Sequence, residues 1–332
     1  MKTLLLIDAN SFIHRAFHAL PPLTGPNGEP TGALYGLTNT LLKILNDLKP
    51  SYVAAAFDRP EPTFRKKIFE EYKAHRPKSP NELIGQIIEA RKLLETLQVP
   101  VFECAGFEAD DLIGTLAEKL KNKSLKIIIL TGDLDALQLV ENENNIVVAA
   151  PKKGLSEITT YDENLVEEKL GVRPPRVADY KGLVGDSSDN IPGIPGIGPK
   201  TALTILKEFG SVEEIYKKLT PGHKLAPKLL TFKDQALLSK KLALIIKNAP
   251  IEADLNNLIY TPPSKEKIIG YFSKLGFYSL IKRINGKDAA ENPPEKTPPP
   301  SPENNLSLFS GIGKENTEFV PDADFLKKNP KL

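Results

Sequence analysis

Acidic residues follow three short apolar runs of the sequence, at the point where each run ends. Asp8 follows TLLLI, Asp58 follows YVAAAF, and Asp133 and Asp135 follow KIIIL. If these runs are parallel strands, their carboxyl ends meet at one edge of a sheet, where open α/β folds place their ligand sites. Turns also favour Asp, so this pattern alone does not decide between a loop and a site.

Two further acidic clusters favour a site. In FEADDLIGTLAEKL, Glu108 and Asp111 share one face of an expected helix, and Asp110 lies beside them. Acids suit a first helical turn by about 0.3–1 kcal/mol, but three crowded carboxylates repel one another, which favours a bound cation. The second cluster is Asp186 and Asp189 in GDSSDN, for which N-capping or an Asx turn is an equally good explanation.

Together these carboxylates predict a site for divalent cations. The candidate ligands are Asp8, Asp58, Glu108, Asp110, Asp111, Asp133, Asp135, Asp186 and Asp189. Oxygen ligands without a paired His or Cys set select Mg²⁺ or Mn²⁺. Because there are more carboxylates than one ion needs, we expect two ions about 3.5–4 Å apart, the arrangement that serves phosphodiester cleavage.

A basic and aromatic segment, residues 59–80, leaves the end of the apolar run at Asp58. It has seven basic residues against three acidic ones, with Phe64, Phe69 and Tyr72 interleaved. Basic groups contact phosphates and aromatic rings stack on bases, although a charge run alone is more often a solvated helix face. The segment is long for a βα connection, which favours an arch over the acidic edge.

A glycine-rich loop, IPGIPGIGPKTA, precedes an expected helix that begins near Pro199. Gly193, Gly196 and Gly198 permit a tight turn with exposed N–H groups, and Lys200 adds positive charge. Such a loop at a helix N-terminus binds phosphate without reading sequence, whereas the alternative is a plain turn between helices.

The elements that must position these residues alternate in the first half of the chain. Apolar runs predict buried strands at 3–7, 52–57, 100–105, 126–130 and 145–150, and helical spacing predicts helices over 33–48, 83–97 and 109–120. We expect a doubly wound, mostly parallel α/β sheet over residues 1–175, with helices on both faces. A small all-helical domain is expected over 176–288, and a Pro-rich, disordered tail over 289–332.

Composition restricts the class of protein. The 332 residues carry a formal charge of +2, so any contact with nucleic acid must come from a local patch. A single cysteine, Cys104, excludes an intrachain disulfide and fits a reducing compartment. Since no apolar run has the length of a membrane span or a signal peptide, we expect a cytoplasmic protein.

Six segments, in this order, resemble the 5′-nuclease domains of bacterial DNA polymerase I, which belong to the 5′ flap endonuclease superfamily. They are LIDANSFIHRAFHAL, AAFD, TFRKKIFEEYKAHRPKSP, AGFEADDLIGTLA, LTGDLDALQLV and GDSSDNIPGIPGIGPKTA, and the resemblance covers about residues 1–288. It implies a PIN-like nuclease domain with a helical arch at about 60–100. It also implies a helix–three-turn–helix (helix-hairpin-helix) domain that binds duplex DNA.

The resemblance implies roles for individual residues. It assigns the nine carboxylates to the metal cluster, with Asp58 as an outer member. Tyr72, Lys73 and Arg76 match catalytic arch residues beside the scissile phosphate.

Other residues match positions that bind DNA. Arg15 and Arg65 match residues that touch the substrate strand. The glycine loop with Lys200 matches a hairpin that holds a duplex phosphate, often with K⁺ on its carbonyl groups.

The sequence thus predicts a monomeric, Mg²⁺-dependent 5′-3′ exonuclease or 5′ flap endonuclease, in which Mn²⁺ can substitute. Its DNA would be flapped, nicked or gapped, with RNA primers on DNA as natural substrates in replication and repair. The alternatives are a junction-binding protein without catalysis and a PIN-type RNase. A flap substrate compared with linear RNA separates these possibilities.

The end of the chain carries two further expectations. Residues 305–309, NLSLF, resemble a sliding-clamp-binding peptide with Asn305 in place of the usual Gln, and a chance apolar patch is the alternative. Because the sequence stops at residue 332, we expect a stand-alone homologue or a fragment, working beside a DNA polymerase.

Overall fold

A six-stranded sheet organises the protein, a computed structural model in which residues 1–153 and 157–286 are described. The strands are β1 (Lys2–Asp8), β2 (Tyr52–Ala56), β3 (Val101–Phe102), β4 (Leu125–Leu130), β5 (Ile146–Lys153) and β6 (Glu157–Tyr161). Their order across the sheet is β3-β2-β1-β4-β5-β6, with parallel pairs except for the antiparallel pair β5–β6. The predicted mostly parallel sheet is confirmed. The edge strand β6 escaped prediction because EITTY is short, polar and half exposed.

Helices cover both faces of this sheet. In the first half of the chain they are α1 (Ala9–Ala19), α2 (Gly32–Leu48), α3 (Phe64–Ile68), α4 (Asn81–Thr96), α5 (Ala109–Leu120) and α6 (Glu163–Leu170). Alternate residues of β1 face opposite layers: Leu4 and Leu6 pack in the cluster with α5, and Leu5 and Ile7 pack in the cluster with α1, α2 and α4. Burial on both sides explains why these strands read as continuous apolar runs.

The segment predicted to arch, residues 60–100, divides into two parts. Ala90, Leu93 and Leu94 of α4 are buried in the cluster on the α1–α2 face of the sheet, because their helical spacing gives α4 one apolar side. Only the part that precedes α4 is therefore available to reach the acidic edge.

The second half of the chain is helical, as predicted. Its helices are α7 (Val177–Val184), α8 (Pro199–Phe209), α9 (Val212–Lys218), α10 (Ala226–Thr231), α11 (Lys233–Ala243), α12 (Lys265–Lys274) and α13 (Tyr278–Ile284). Buried residues of α7 to α11 share the cluster on the α5 face of the sheet, whereas Ile268, Phe272 and Leu280 of α12 and α13 belong to the opposite cluster. The helical half is thus divided between both layers, and a domain boundary near residue 175 stays a prediction.

Two sequence expectations fall outside these elements. The predicted tail at 289–332, with its segment 305–309, lies outside the described residues. Among the helices that are described, none is both long and apolar enough to cross a membrane.

The packing of α12 can be tested by removing its central side chain. Phe272 is fully buried, and its ring centroid lies 5.8 Å from that of Phe277. We expect Phe272→Ala to lower the free energy of unfolding by about 3–5 kcal/mol, because the lost contacts leave a cavity. Urea unfolding measures this change. The matched control is Tyr278→Ala on the exposed side of α13, which should stay within about 0.5 kcal/mol of wild type, and equal losses in both would contradict the packing.

Candidate active site

A cavity of about 370 Å³ lies at the carboxyl ends of β1, β2 and β4. Five of the nine predicted metal ligands line it: Asp8, Asp58, Glu108, Asp110 and Asp133. Arch and α1 side chains complete the wall: Lys73, Arg76, Asn10, Ser11 and His14. The strand-end placement that the sequence predicted is therefore what brings these carboxylates together.

Two of the carboxylates are held by the first turns of helices. The Asp8 carboxylate caps α1, since it accepts hydrogen bonds from Ser11 N at 2.9 Å and from the Thr131 hydroxyl at 2.7 Å. The Asp58 carboxylate accepts Ala109 N at the start of α5 at 2.7 Å. These bonds fix both side chains at the wall of the cavity, because helix N-termini offer free N–H groups.

Burial and mutual repulsion oppose the negative charge of this group. Burial, with Asp58 and Asp133 nearby, raises the pKa of Asp8 to about 7. Burial, with Asp8 and Asp133, also raises the pKa of Asp110 well above its ordinary value. Asp110 Oδ1 is buried and has no hydrogen-bond partner within the described residues. An orphaned carboxylate oxygen among other carboxylates fits a divalent cation, whose charge favours the ionised form.

A second group of carboxylates is joined by a lysine. Lys181 Nζ pairs with Asp135 Oδ1 and lies 2.5 Å from Asp186 Oδ2. Burial, with Asp133, raises the pKa of Asp135 to about 7 despite this partner. Burial also opposes ionisation of Asp186, but the bonds from Lys181 and Ser188 outweigh it and lower the pKa of Asp186 to about 2.

The arch contacts the remaining carboxylates directly. Tyr72 Oη lies 3.2 Å from Glu108 Oε2 and 3.1 Å from Asp189 Oδ2, and Lys73 Nζ lies 2.9 Å from the same Glu108 oxygen. Arg76 pairs with Asp189, and the Lys73 backbone N–H donates to the Asp189 carbonyl at 2.9 Å. The three predicted arch residues thus lie against the acidic group.

Lys73, Arg76 and Lys181 form ion pairs with carboxylates that were predicted to bind metal ions. Within 1–153 and 157–286, no three His, Cys, Asp or Glu side chains already form a group that could hold a metal ion. Eight of the nine carboxylates lie in the cavity or beside it, as the preceding contacts show. Their assignment as ligands stays a prediction.

The ninth carboxylate, Asp111, and the predicted DNA contact Arg65 do not line the cavity, although Arg65 lies 3.8 Å from Glu108 at its wall. They are 0% and 3% exposed and form a two-bond ion pair at 2.7 and 2.8 Å. Arg65 also donates to the carbonyls of Leu242 and Leu244, and Asp111 accepts Glu108 N at 3.0 Å. In this structure each side chain is occupied by the other and by backbone groups, which argues against both sequence assignments.

One of the predicted phosphate-binding glycines is also turned inward. Gly193 is buried with φ +60°, and its N–H donates to the Ser239 hydroxyl at 3.0 Å. A Cβ atom at Gly193 would lie 2.2 Å from Gly185 N. This glycine is required for a close approach of two backbone segments and its N–H is occupied, which argues against the assignment of Gly193 to DNA binding.

The rest of the loop remains open to solvent. Gly196, Gly198 and Lys200 are exposed at the start of α8, and Lys228 Nζ lies close to Gly196. The predicted contact Arg15 is half-buried, and its guanidinium donates to the Pro151 carbonyl at 3.4 Å.

Sequence reasoning missed several polar residues at the cavity. Asn10, Ser11 and His14 line it, and Asn10 donates to the Asp58 carboxylate at 3.1 Å. The available signal was their position in the first turns of the helix that follows Asp8. Lys181 was missed as well, since nothing in VADYKGLVGD distinguishes it from an exposed helix lysine.

Comparison with protein families matches two adjacent models. Residues 3–171 match the model of the 5′-3′ exonuclease N-terminal resolvase-like domain. Residues 172–266 match the model of the 5′-3′ exonuclease C-terminal SAM fold. Together the two models span nearly all of the described residues.

Similar curated proteins fall into two kinds. Over 292 residues the chain is 43% identical to DNA polymerase I of Bacillus subtilis, covering 87% of this chain and 33% of that protein. Over 285 residues it is 39% identical to a 5′-3′ exonuclease of Aquifex aeolicus, covering 86% of this chain and 96% of that protein. The chain therefore spans about a third of the polymerase relative and nearly all of the exonuclease relative.

Solved structures with the same fold are more distant in sequence. The T5 D15 protein co-crystallised with metal ions aligns with a TM-score of 0.60 at 19% identity, covering 85% of this chain and 99% of that one. The catalytic core of Rad2 in complex with a DNA substrate aligns with a TM-score of 0.57 at 15% identity, covering 85% and 92%. These likenesses establish the fold.

The raised pKa of Asp8 predicts how the stability of the metal-free protein depends on pH. In the folded state Asp8 keeps its proton up to about pH 7, whereas in the unfolded state it releases it near its ordinary pKa of 3.8. Between the unfolded-state pKa of 3.8 and the folded-state pKa of about 7, the folded state binds more protons than the unfolded state. The contribution of Asp8 to stability is therefore greatest below pH 3.8 and is lost as the pH rises through about 7. We expect a loss on the order of a few kcal/mol, measured by urea unfolding in EDTA. Asp8→Asn should show a smaller loss over the same interval, and an identical pH profile for both proteins would contradict the assignment.

The buried Arg65–Asp111 pair predicts a large cost when one partner is removed. Arg65→Met leaves the Asp111 carboxylate uncompensated in the interior, and we expect the free energy of unfolding to fall by about 3–5 kcal/mol. The control is Arg59→Met, which removes an arginine from an exposed pair with Glu61 and should leave the unfolding curve unchanged. A small effect of Arg65→Met in urea unfolding would show that Arg65 is not held as described.

Proposed function

The chain belongs to the 5′-3′ exonuclease family, and from this premise we propose that it is a divalent-metal-dependent nuclease that cuts DNA where a 5′ single strand meets a duplex. The observation that carries the proposal is the Asp110 carboxylate, whose buried oxygen has no hydrogen-bond partner in the described part of the chain and lies in a cavity lined by four other carboxylates. Oxygen ligands of this kind select Mg²⁺, with Mn²⁺ as a substitute.

We assign the cavity carboxylates Asp8, Glu108, Asp110 and Asp133 to one ion, and Asp135, Asp186 and Asp189 to a second. Asp58 is an outer member, since it is committed to Ala109 N and Asn10. When bound, Mg²⁺ supplies activation of water and neutralisation of charge on the phosphate.

The arch residues would contribute positive charge and a proton donor at the reacting phosphate. Burial opposes the charge on Lys73, but Glu108 and Asp189 outweigh it and raise its pKa, so Lys73 is protonated. Burial, with the same two carboxylates, also raises the pKa of Tyr72, so its hydroxyl keeps its proton and donates. Lys73 and Arg76 are therefore suited to stabilise the charge that develops on a phosphate during cleavage.

Duplex DNA would be held by the exposed part of the glycine loop. Gly196 and Gly198 lie at the N-terminus of α8, an 11-residue helix, with Lys200 and Lys228 close by. Backbone N–H groups and lysines at a helix N-terminus bind phosphate without reading bases, so sequence preference should be low. RNA primers as natural substrates, a K⁺ ion at this loop, a partner DNA polymerase and a monomeric state stay predictions.

Replacement of Asp110 tests the catalytic assignment. On a labelled 5′-flap DNA with Mg²⁺, we expect Asp110→Asn to lower the single-turnover rate by more than about 100-fold, since changes behind the ligands already cost 10–100-fold. Flap binding should persist, because the proposed duplex contacts are at the glycine loop and do not involve Asp110. The control Glu143→Gln removes an exposed carboxylate that does not line the cavity and should cut at the wild-type rate.

The same assay separates the alternatives. Wild-type protein that binds flaps but does not cut them with Mg²⁺ or Mn²⁺ would be a junction-binding protein without catalysis. Faster turnover of linear single-stranded RNA than of flapped, nicked or gapped DNA would indicate a PIN-type RNase. Undiminished cutting in EDTA, or by Asp110→Asn, would overturn the metal assignment.

A further inference from the structure

The two halves of the acidic group are neutralised in different ways. Asp8 accepts hydrogen bonds from the neutral groups Ser11 N–H and Thr131 hydroxyl, and Asp110 Oδ1 has no hydrogen-bond partner among the described residues. Asp135 and Asp186, in contrast, share one ammonium group, that of Lys181. Lys73 pairs with Glu108 at the edge of the first half, but Asp8 and Asp110 have no ion pair among the described residues, whereas Asp135 and Asp186 share a lysine.

The position of Lys181 makes its ammonium a bridge rather than a surface charge. Lys181 lies on α7, one turn before Asp186, while Asp135 follows β4 in the other half of the chain. Its side chain is 17% exposed, and Nζ lies 2.5 Å from Asp186 Oδ2 and closer still to Asp135 Oδ1. A lysine is ordinarily protonated at neutral pH, and Nζ lies between two carboxylates, so the bridge is cationic.

An ammonium group and a divalent ion cannot occupy this place together. Lysine carries three donors and no acceptor, so it can neutralise the carboxylates but cannot join them as a ligand. Nζ contacts one oxygen of each carboxylate, Asp135 Oδ1 and Asp186 Oδ2, so a second ion that bound through these oxygens would have to replace it.

We infer that Lys181 is a built-in counter-ion that the second divalent ion must displace before it can bind Asp135 and Asp186. This inference rests on the proposed function and adds the order in which the two divalent ions bind. The open carboxylates around Asp110 take an ion first, and the Asp135–Asp186 pair takes one only after the flexible lysine stem has swung away. Apparent affinity at the second position equals the intrinsic affinity multiplied by the fraction of molecules in which Lys181 has moved away.

The test counts Mn²⁺ ions bound to the full chain without DNA, using the electron paramagnetic resonance signal of free Mn²⁺. In wild type we expect one tighter and one weaker site. In Lys181→Met the weaker site should bind about tenfold more tightly while the tighter site is unchanged. Adding Asp135→Asn to Lys181→Met should remove that gain, because it removes one of the oxygens that the lysine releases.

A second lysine gives a matched control. Lys240 is also 17% exposed and also bridges two carboxylates, with Nζ 2.7 Å from Asp179 and 2.6 Å from Glu213. None of these three residues lines the cavity, so Lys240→Met should leave both Mn²⁺ affinities as in wild type. If Lys181→Met does not give a folded far-ultraviolet circular dichroism spectrum, Lys181→Gln replaces it, since Gln keeps a donor without the charge.

The outcomes distinguish this inference from the proposed function. Two Mn²⁺ sites with the same affinities in wild type and in the Lys181 variant would overturn the counter-ion role while leaving a two-ion nuclease intact. An equal gain in Lys240→Met would also overturn it, because the effect would then be one of net charge. Absence of any Mn²⁺ binding in wild type and variants would overturn the proposed function itself.

Discussion

The concentration of carboxylates at one sheet edge is the constraint on which the rest of this structure depends. Each of these groups loses hydration when it is buried, and each repels the others, so the protein can carry them ionised only beside positive charge. Asp8 and Asp135 illustrate the cost, since burial raises the pKa of each to about 7. The surrounding lysines and arginines are therefore a requirement of the fold as well as a resource for chemistry.

The parallel sheet explains why the carboxylates cluster at one edge. β1 lies between β2 and β4, and all three run in one direction, so residues that follow them in sequence meet in space. α5 then begins at the same edge, where its first N–H groups hold the Asp58 carboxylate and its first turn brings Asp110 to the cavity. Because these elements have their own apolar faces and pack independently of the acids, the core stabilises an arrangement that electrostatics alone would oppose.

Much of this architecture could be predicted from local pattern, and the exceptions have physical reasons. The helix 109–120 and the strand ends at Asp8 and Asp133 follow from apolar spacing, which is a local property. The direction of an individual side chain is not local. Asp111 shares a helical turn with Asp110 but rotates toward Arg65, whose own place depends on carbonyls near residue 242, far along the chain. Gly193 likewise differs from Gly196 through contacts with Gly185 and Ser239, which lie elsewhere in the chain.

The basic side chains around the acidic group differ in solvent exposure, and the more exposed ones can leave their carboxylate partners more easily. Arg65 is 3% exposed and bound on every side, so it can only hold the fold together. Lys181 is 17% exposed and Lys73 is 26% exposed; each pairs with carboxylates through a flexible stem that can leave. Arg76 is 48% exposed and can turn to solvent with the smallest loss of contact. A cation that must exchange its carboxylate for a metal ion or a phosphate needs access to water for the exchange. Partial exposure therefore distinguishes the lysines and Arg76, which can exchange partners during the reaction, from Arg65, which stabilises the surrounding fold.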